Sequence, residues 1–441
     1  MLRNVQLIVP LLVICVSCQP TLVVDDYTGN EAGIPEDVLL EIKRGNYPKE
    51  VDFPIVPDGH PSLVCMRKKA HQLAYIEWRP MGTVPGLIQP VPVGEIYKGI
   101  PYSSVKEKDK FVGMEVSFHT FMSAVNNPRS VFYTDNVSSP PYNGTNCGPY
   151  YGTVCSIAVN YALGIDRPYE SSMYETIPYI AKVKEQSPSG VRPGDILWSK
   201  GHVVLVLDVH HVNKQILGFS ILESSGCTSI KELSLEAFSE RWKTVGWVLY
   251  RDLKLAENVD YSSIPYVFNP GDVAVIPEFN NDICTSRGDR VSYVEGESVT
   301  INVFNKQYDR IELYRNGILF SSILNDKADY VWDSLITGSY EAKLARDGSF
   351  SRSVFFEVIN ERTSVIKNGD SYDVFMGSEN GIPLYWVVCS KNGARKLIKD
   401  ISSSEKEAGE LSIDGSYSGL FLKVFYQGEY GRVSNKPILL N

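Results

Sequence analysis

From about Val291 to the C-terminus the chain breaks into short alternating strands punctuated by turns, and its landmarks come twice. Val299-Thr300-Ile301-Asn302-Val303 alternates, the run from Ile311 to Phe320 contains Asn316-Gly317, and Gly338-Ser339-Tyr340 precedes a further strand, Val354 to Val358. Asn-Gly between apolar runs is a strong hairpin signal because both residues tolerate positive φ. Asn392-Gly393 and Gly415-Ser416-Tyr417 repeat these landmarks 76 and 77 residues later, flanked by Leu384 to Val388 and Phe421 to Tyr426. A nearly fixed offset predicts a duplicated module, and strands this short predict two all-β sandwiches, over 285–360 and 361–441.

The remaining chain is expected to be a separate α+β domain over 59–262, which holds all six histidines. Ser62 to Trp78 reads as a helix, with Leu63, Met66, Ala70, Leu73 and Ile76 at three- and four-residue steps. Further on, NGTNCGPYYGTVCSIAVNYALGI runs from a Gly/Asn/Pro-rich loop into a helix that opens at Cys155 and stops at Gly164. A thiol at a helix N-terminus meets the positive end of the dipole, which favours the thiolate, and the adjacent N–H groups point where an oxyanion forms. A buried cysteine that merely opens a core helix has the same local pattern.

The segment VRPGDILWSKGHVVLVLDV adds a base. A Pro-Gly-Asp turn leads into the strand Ile196 to Trp198, and a short loop leads to Gly201-His202, with Gly201 expected to leave room for close approach. The run Val203 to Leu207 is too uniformly apolar for an exposed edge. After a turn near Asn213-Lys214, a return strand Ile216 to Leu222 ends at Glu223. Paired as a hairpin, these strands bring Glu223 back beside His202, where a carboxylate fixes the tautomer and orientation of an imidazole.

A cysteine opening a helix, then PGDILW-x-x-GHV on strands, then a polar residue on the next strand, resembles the papain-like cell-wall hydrolases. The NlpC-type peptidoglycan endopeptidases are the nearest in pattern, with the CHAP amidases next. The resemblance implies a papain-like α+β domain in which Cys155 is the nucleophile, His202 the base and Glu223 the orienting residue. It also implies that Ser156 follows the nucleophile as the family's serine does, and that a tyrosine near the oxyanion precedes it. Gly99-Ile100-Pro101-Tyr102 matches the family wording, with 104–140 as an insertion; Tyr142 has the more usual distance. The substrate implied is the peptide stem of peptidoglycan, with a D-glutamyl–diamino-acid bond as the common target. Release of whole stems by a CHAP-type N-acetylmuramoyl-L-alanine amidase shares the triad, and a binding or scaffolding protein that kept only the fold is the non-catalytic alternative. No metal and no organic cofactor is called for. Val154 stands where the family often has Asp before the nucleophile, and Glu223 leans towards the CHAP pattern. Cys147, in the preceding loop, is a second candidate nucleophile, or a disulfide partner of Cys155. The insertion carries aromatics suited to core packing or to capping a groove. The β modules resemble bacterial Ig-like domains, which space and scaffold, or contact glycan or protein.

The N-terminus reads as an address. MLRNVQLIVPLLVICVSC has one Arg, an apolar run from Val5 to Val16, and a Cys15-Val16-Ser17-Cys18 ending that looks like a bacterial lipobox. Residues 1–17 are then a lipoprotein signal peptide, Cys18 the lipidated residue that tethers the protein to a membrane in the cell envelope, and 18–58 a proline-punctuated linker. An ordinary cleaved signal peptide is the alternative. A net charge of −9, with no Lys/Arg run, excludes a nucleic-acid binder, which needs a basic stripe to displace counterions. Six scattered cysteines beyond Cys18 form neither a disulfide framework nor a zinc motif. His210-His211, at the hairpin turn, are solvated or hold an adventitious metal.

Overall fold

The computed structural model describes residues 36–51, 61–105, 110–137, 148–213, 215–257, 280–391 and 393–441. Cys18, Tyr142 and Cys147 lie outside them, so the expectations attached to those three have no structural counterpart here. Among the described residues, no helix is long and apolar enough to cross a membrane.

The N-terminal domain is built on a seven-stranded sheet with helices against it. Its strands are β1 (Glu50–Val51), β2 (Ile180–Val183), β3 (Asp195–Ser199), β4 (His202–Val212), β5 (Gln215–Ser224), β6 (Thr228–Ser234) and β7 (Val248–Asp252), in the order β1-β2-β7-β3-β4-β5-β6. All pairings are antiparallel except β1 with β2. The helices include α1 (Glu36–Lys43), α2 (Pro61–Tyr75), α3 (Phe118–Val125), α4 (Val131–Thr134), α5 (Cys155–Leu163) and α6 (Leu235–Val245). Helices α2 and α5 pack together, and Ala158, Val159 and Ala162 of α5 join Val203 to Leu207 of β4 in one core. That uniformly apolar strand is central, with both faces covered, which is why it lacks polar alternation.

The proline-rich segment read as a linker is in part structured. Its stretch 36–51 supplies α1 and β1, and Ile42 and Val51 are buried in the main core. The prolines masked an apolar spacing, Val38 and Ile42, that seats α1 on the domain.

The Pro-Gly-Asp turn has a structural account. Asp195 is fully buried and receives Nε and Nη2 of Arg251 at 2.7 and 2.8 Å, while the Arg192 N–H donates to its Oδ2 at 2.8 Å. A buried charge needs such a partner, and this one ties the start of β3 to its neighbour β7.

Two β-sandwiches follow. In the first, β8 (Ile283–Thr285), β10 (Val299–Val303) and β13 (Asp329–Trp332) face a sheet of β12 (Ile318–Leu324), β11 (Arg310–Arg315), β14 (Gly338–Arg346) and β15 (Val354–Asn368), with β9 (Val291–Val294) parallel to β15. Tyr340 and Phe356 stack at its centre, 5.0 Å between ring centroids. In the second, the far half of β15 with β16 (Ser371–Glu379) and β19 (Glu410–Asp414) faces β18 (Arg395–Asp400), β17 (Ile382–Cys389), β20 (Phe421–Gln427) and β21 (Arg432–Ser434). Tyr372, Val374 and Ile413 meet Trp386, Val388 and Val424 between its sheets.

The duplication is visible in the pairing: β11 lies between β12 and β14 as β17 lies between β18 and β20. Asn316 and Gly317 make the first hairpin turn with φ of 49° and 77°. Two expectations need correction. The boundary drawn at 360/361 falls inside β15, one continuous strand shared by both sandwiches. The Gly-Ser-Tyr landmarks are not equivalent: Gly338 opens β14, whereas Gly415–Tyr417 is a 3-10 turn before β20. A short helix, α7 (Ser403–Ala408), lengthens the connection between β18 and β19 and shifts the register of the repeat.

The insertion packs its rings inward and turns its polar side to the first sandwich. Phe121 and Phe132 are fully buried against Trp78. Asn127 donates to Thr285 O at 3.0 Å and to Asn302 Oδ1 at 2.7 Å, and His119 meets Asp289 at 2.8 Å. Its aromatics are therefore core and its polar face a docking surface. The second sandwich also returns to the N-terminal domain. There Met173 packs with Tyr385 and Val387, Arg395 N–H donates to Glu170 at 3.0 Å, and Arg432 N–H donates to Glu115 O at 3.1 Å.

Candidate active site

Three elements meet at one spot. Helix α5 begins at Cys155, after Val154 in extended conformation with no side-chain cap, and ends at Gly164 in the left-handed region. An uncapped first turn leaves backbone N–H groups pointing outward beside the thiol. Cys155 is buried to 7% exposure and is a free cysteine.

His202 opens β4 after the two-residue turn Lys200-Gly201, which pairs Ser199 with His202. Gly201 adopts φ of 85°, and a Cβ there would meet nothing within 4 Å. The glycine thus serves the turn's backbone angle, not the close approach expected from sequence.

Glu223 lies near the end of β5, adjacent to β4, and is 3% exposed. His202 donates from Nε2 to Glu223 Oε1 at 2.9 Å. The Cys155 thiol is the other group that acts on the imidazole. These contacts, the thiol's first and Glu223's second, raise the imidazole to about 9 against the opposing pull of burial. Glu223 is itself held by two more cations: Arg241 on α6 and Lys231 on β6, the latter with Nζ 2.5 Å from Oε2. Burial alone would raise its carboxyl, but the hydrogen bonds from His202 and Arg241 and the ion pair with Lys231 outweigh it and hold the group well below the usual carboxylate range.

The other sequence-derived residues sit nearby with different parts to play. Ser156 is buried in the first turn of α5. Tyr102 bridges two loop segments of the site by its backbone: it pairs with Thr153, two residues before Cys155, and its N–H donates to Gly226 O at 3.0 Å. Gly152 stands where this crossing is tightest, since a Cβ would lie 2.5 Å from Pro101 O. His71 is half-buried in α2, its imidazole pulled down to about 4 by burial. His210 is tied to Glu232 at 2.9 Å and His211 to Val209 O at 2.9 Å. Among the described residues, no group of His, Cys, Asp and Glu side chains is arranged to hold a metal ion.

Sequence reasoning missed Arg241, Lys231 and Tyr174. Tyr174 is fully buried, and its hydroxyl reaches Asn160 Oδ1 at 2.6 Å and Ser156 O at 3.2 Å, bracing the first turn of α5. Burial pushes that hydroxyl well above its ordinary value, so it remains a donor. Lys231 was reachable in principle: in a tight β5–β6 hairpin pairing Glu223 with Ser229, it falls two residues further along the same face. Arg241 and Tyr174 carry no local signal, because only tertiary packing brings them in.

No family model matches the sequence, and no curated protein is significantly similar to it. Solved structures similar to part of the chain include the CD2-binding domain of CD58, 9% identical over 34% of this chain and 96% of that one, with a TM-score of 0.20. Others are the fibronectin(III)-like modules of Clostridium thermocellum CbhA (13% identical, 35% and 90% covered, TM-score 0.19) and domains 3 and 4 of rat CD4 (12%, 34% and 97%, 0.21). At TM-scores this low the likeness carries no argument about this chain.

Proposed function

We propose that this protein is a papain-like cysteine hydrolase that cleaves an amide in the peptide part of bacterial peptidoglycan, tethered to the envelope through lipid on Cys18. The observation that carries the reading is the Cys155–His202–Glu223 constellation. It has a thiol at an uncapped helix start, an imidazole whose charge that thiol favours, and a buried carboxylate on the imidazole's Nε2.

In this reading Cys155 attacks the amide carbonyl as the thiolate, forming the C–S bond while the carbonyl electron pair moves to oxygen. The N–H groups of the first turn of α5 receive that oxyanion. His202, already an imidazolium at neutral pH, gives its proton to the departing nitrogen as the C–N bond breaks. Water then attacks the thioester, His202 takes its proton, and the C–S bond breaks to release the acid and restore the thiolate–imidazolium pair. Glu223 keeps Nε2 protonated and Nδ1 aimed at sulfur throughout.

Digestion of purified peptidoglycan by the mature protein and by Cys155→Ser, with fragments identified by mass, tests it. Cut stem peptides from the wild type alone support an endopeptidase, and whole stems support an amidase. Identical empty profiles on several wall types would leave a binding role.

A further inference from the structure

The chain leaving α5 is gripped from two sides. After the stop at Gly164 come Asp166 and Arg167, then the 3-10 turn Ser171–Thr176. One side is held by the second sandwich. Arg432 of β21 ion-pairs with Asp166, and Arg167 Nε donates to Asp400 Oδ1 of β18 at 2.5 Å. Glu170 accepts the Arg395 N–H at 3.0 Å, and the buried Met173 joins Tyr385, Val387 and Phe425 in one apolar cluster.

The other side is held by the elements that carry Cys155 and His202. Ser171 O accepts from Trp198 Nε1 at 2.6 Å, and Trp198 of β3 precedes Ser199, the residue paired with His202. Tyr174 is fully buried, its hydroxyl 2.6 Å from Asn160 Oδ1 and 3.2 Å from Ser156 O. Asn160 returns its Nδ2 to Arg167 O and Tyr169 O at 3.1 and 2.9 Å. The Tyr174 hydroxyl is also close enough to Cys155 for the thiol's charge to act on it. A first helical turn has unpaired N–H groups and no side-chain cap here, so its setting depends on such braces. Consecutive residues thus do different work: Met173 plugs into the sandwich, and Tyr174 fixes the turn that bears the nucleophile.

We propose that Tyr174 is a positioning residue for Cys155 and that the second sandwich, by clamping 166–173, acts through it as a built-in activating partner of the site; the consequence for turnover rests on the hydrolase reading. The test measures iodoacetamide alkylation of the full chain against pH, resolved at Cys155 by peptide mass, with the exposed Cys65 as internal reference. Tyr174→Phe keeps the ring and removes the hydroxyl. It should slow Cys155 alkylation at pH 7 by about tenfold and move its pH midpoint upward, because the thiolate loses its setting at the helix start, while Cys65 is unchanged. Met173→Ala should shift Cys155 in the same direction, and Met173→Leu should restore it. The surface pair Asp166→Asn with Asp400→Asn should do likewise and serves where the buried variants do not fold, as judged by thermal melting. A lowered melting temperature with an unmoved Cys155 profile makes the contacts structural bracing and overturns the proposal. A shift in Tyr174→Phe alone, with the sandwich-facing variants folded and unmoved, overturns the role of the sandwich. Peptidoglycan digestion is scored in parallel. Cleavage with an unmoved thiol profile sinks the coupling alone, whereas a shifted profile without cleavage by any form sinks the hydrolase and leaves the coupling.

Discussion

His202 donates from Nε2 to a buried Glu223 that Arg241 and Lys231 also hold, so the imidazole's orientation depends on two residues that never reach the thiol. The consequence is an imidazole fixed from behind by a charge cluster.

Glu223→Gln should keep the shape of that cluster but lose its charge. The imidazole should then titrate well below 9, and hydrolysis at neutral pH should fall by about 100-fold or more. The His202 NMR titration and the pH profile of kcat/KM check the two effects separately.

Arg241→Met should destabilise the protein by about 3 kcal/mol, because it leaves a buried carboxylate short of a partner. Arg241→Lys should recover part of the stability and most of the activity. Loss of activity without loss of stability in Arg241→Met would contradict this, as read by denaturant unfolding alongside turnover.

The raised His202 value also predicts a pH dependence of stability. A group titrating near 6.5 unfolded and about 9 folded binds more protons in the native state between those values. Its contribution is complete below about 6.5 and is lost as pH rises through 9, a change on the order of 3 kcal/mol. Unfolding measured from pH 6 to 10 should show that decline, and His202→Ala should flatten it.

Glycine substitutions should separate backbone strain from collision. Gly201→Ala has open space but φ of 85°, and should cost about 1–2 kcal/mol. Gly152→Ala meets Pro101 O and Ser103 at 2.5 Å and should cost more, displacing Tyr102 and Thr153 beside Cys155. Thermal melts of both, with iodoacetamide reactivity of Cys155, distinguish them.

Asn127→Ala should loosen the first sandwich without touching the site. It removes donors to Thr285 O and Asn302 Oδ1 in a buried interface, a loss of about 1–3 kcal/mol. Limited proteolysis between the domains should accelerate while thiol reactivity stays unchanged.

What was legible in the sequence was whatever short-range pattern encodes. Helix α5 could be read from Cys155 to its Gly164 stop, and the β4–β5 hairpin was enough to bring Glu223 to His202, because hairpin register is a local property. The repeat was legible through its Asn-Gly turns, but its boundary was not, because a strand that changes partner sheets midway has no break in its alternation. Interfaces were illegible for the same reason: Asn127, His119 and Arg432 look like solvated polar residues until their partners arrive from 150 or more residues away. The 36–51 stretch failed differently, its prolines outweighing two apolar side chains that only the sheet could explain.

Strand β15 makes the two sandwiches a single lever. The first sandwich is pinned by the insertion, and the far end of the lever swings the second back onto the residues around α5. The three bodies thus close a ring in which each touches the other two. Breaking one contact leaves its halves at high effective concentration through the remaining pair, so interface losses should be repaired intramolecularly. Separation of the sandwiches from the N-terminal domain then requires two simultaneous failures, and a cut within β15 leaves each sandwich dependent on its own contact alone.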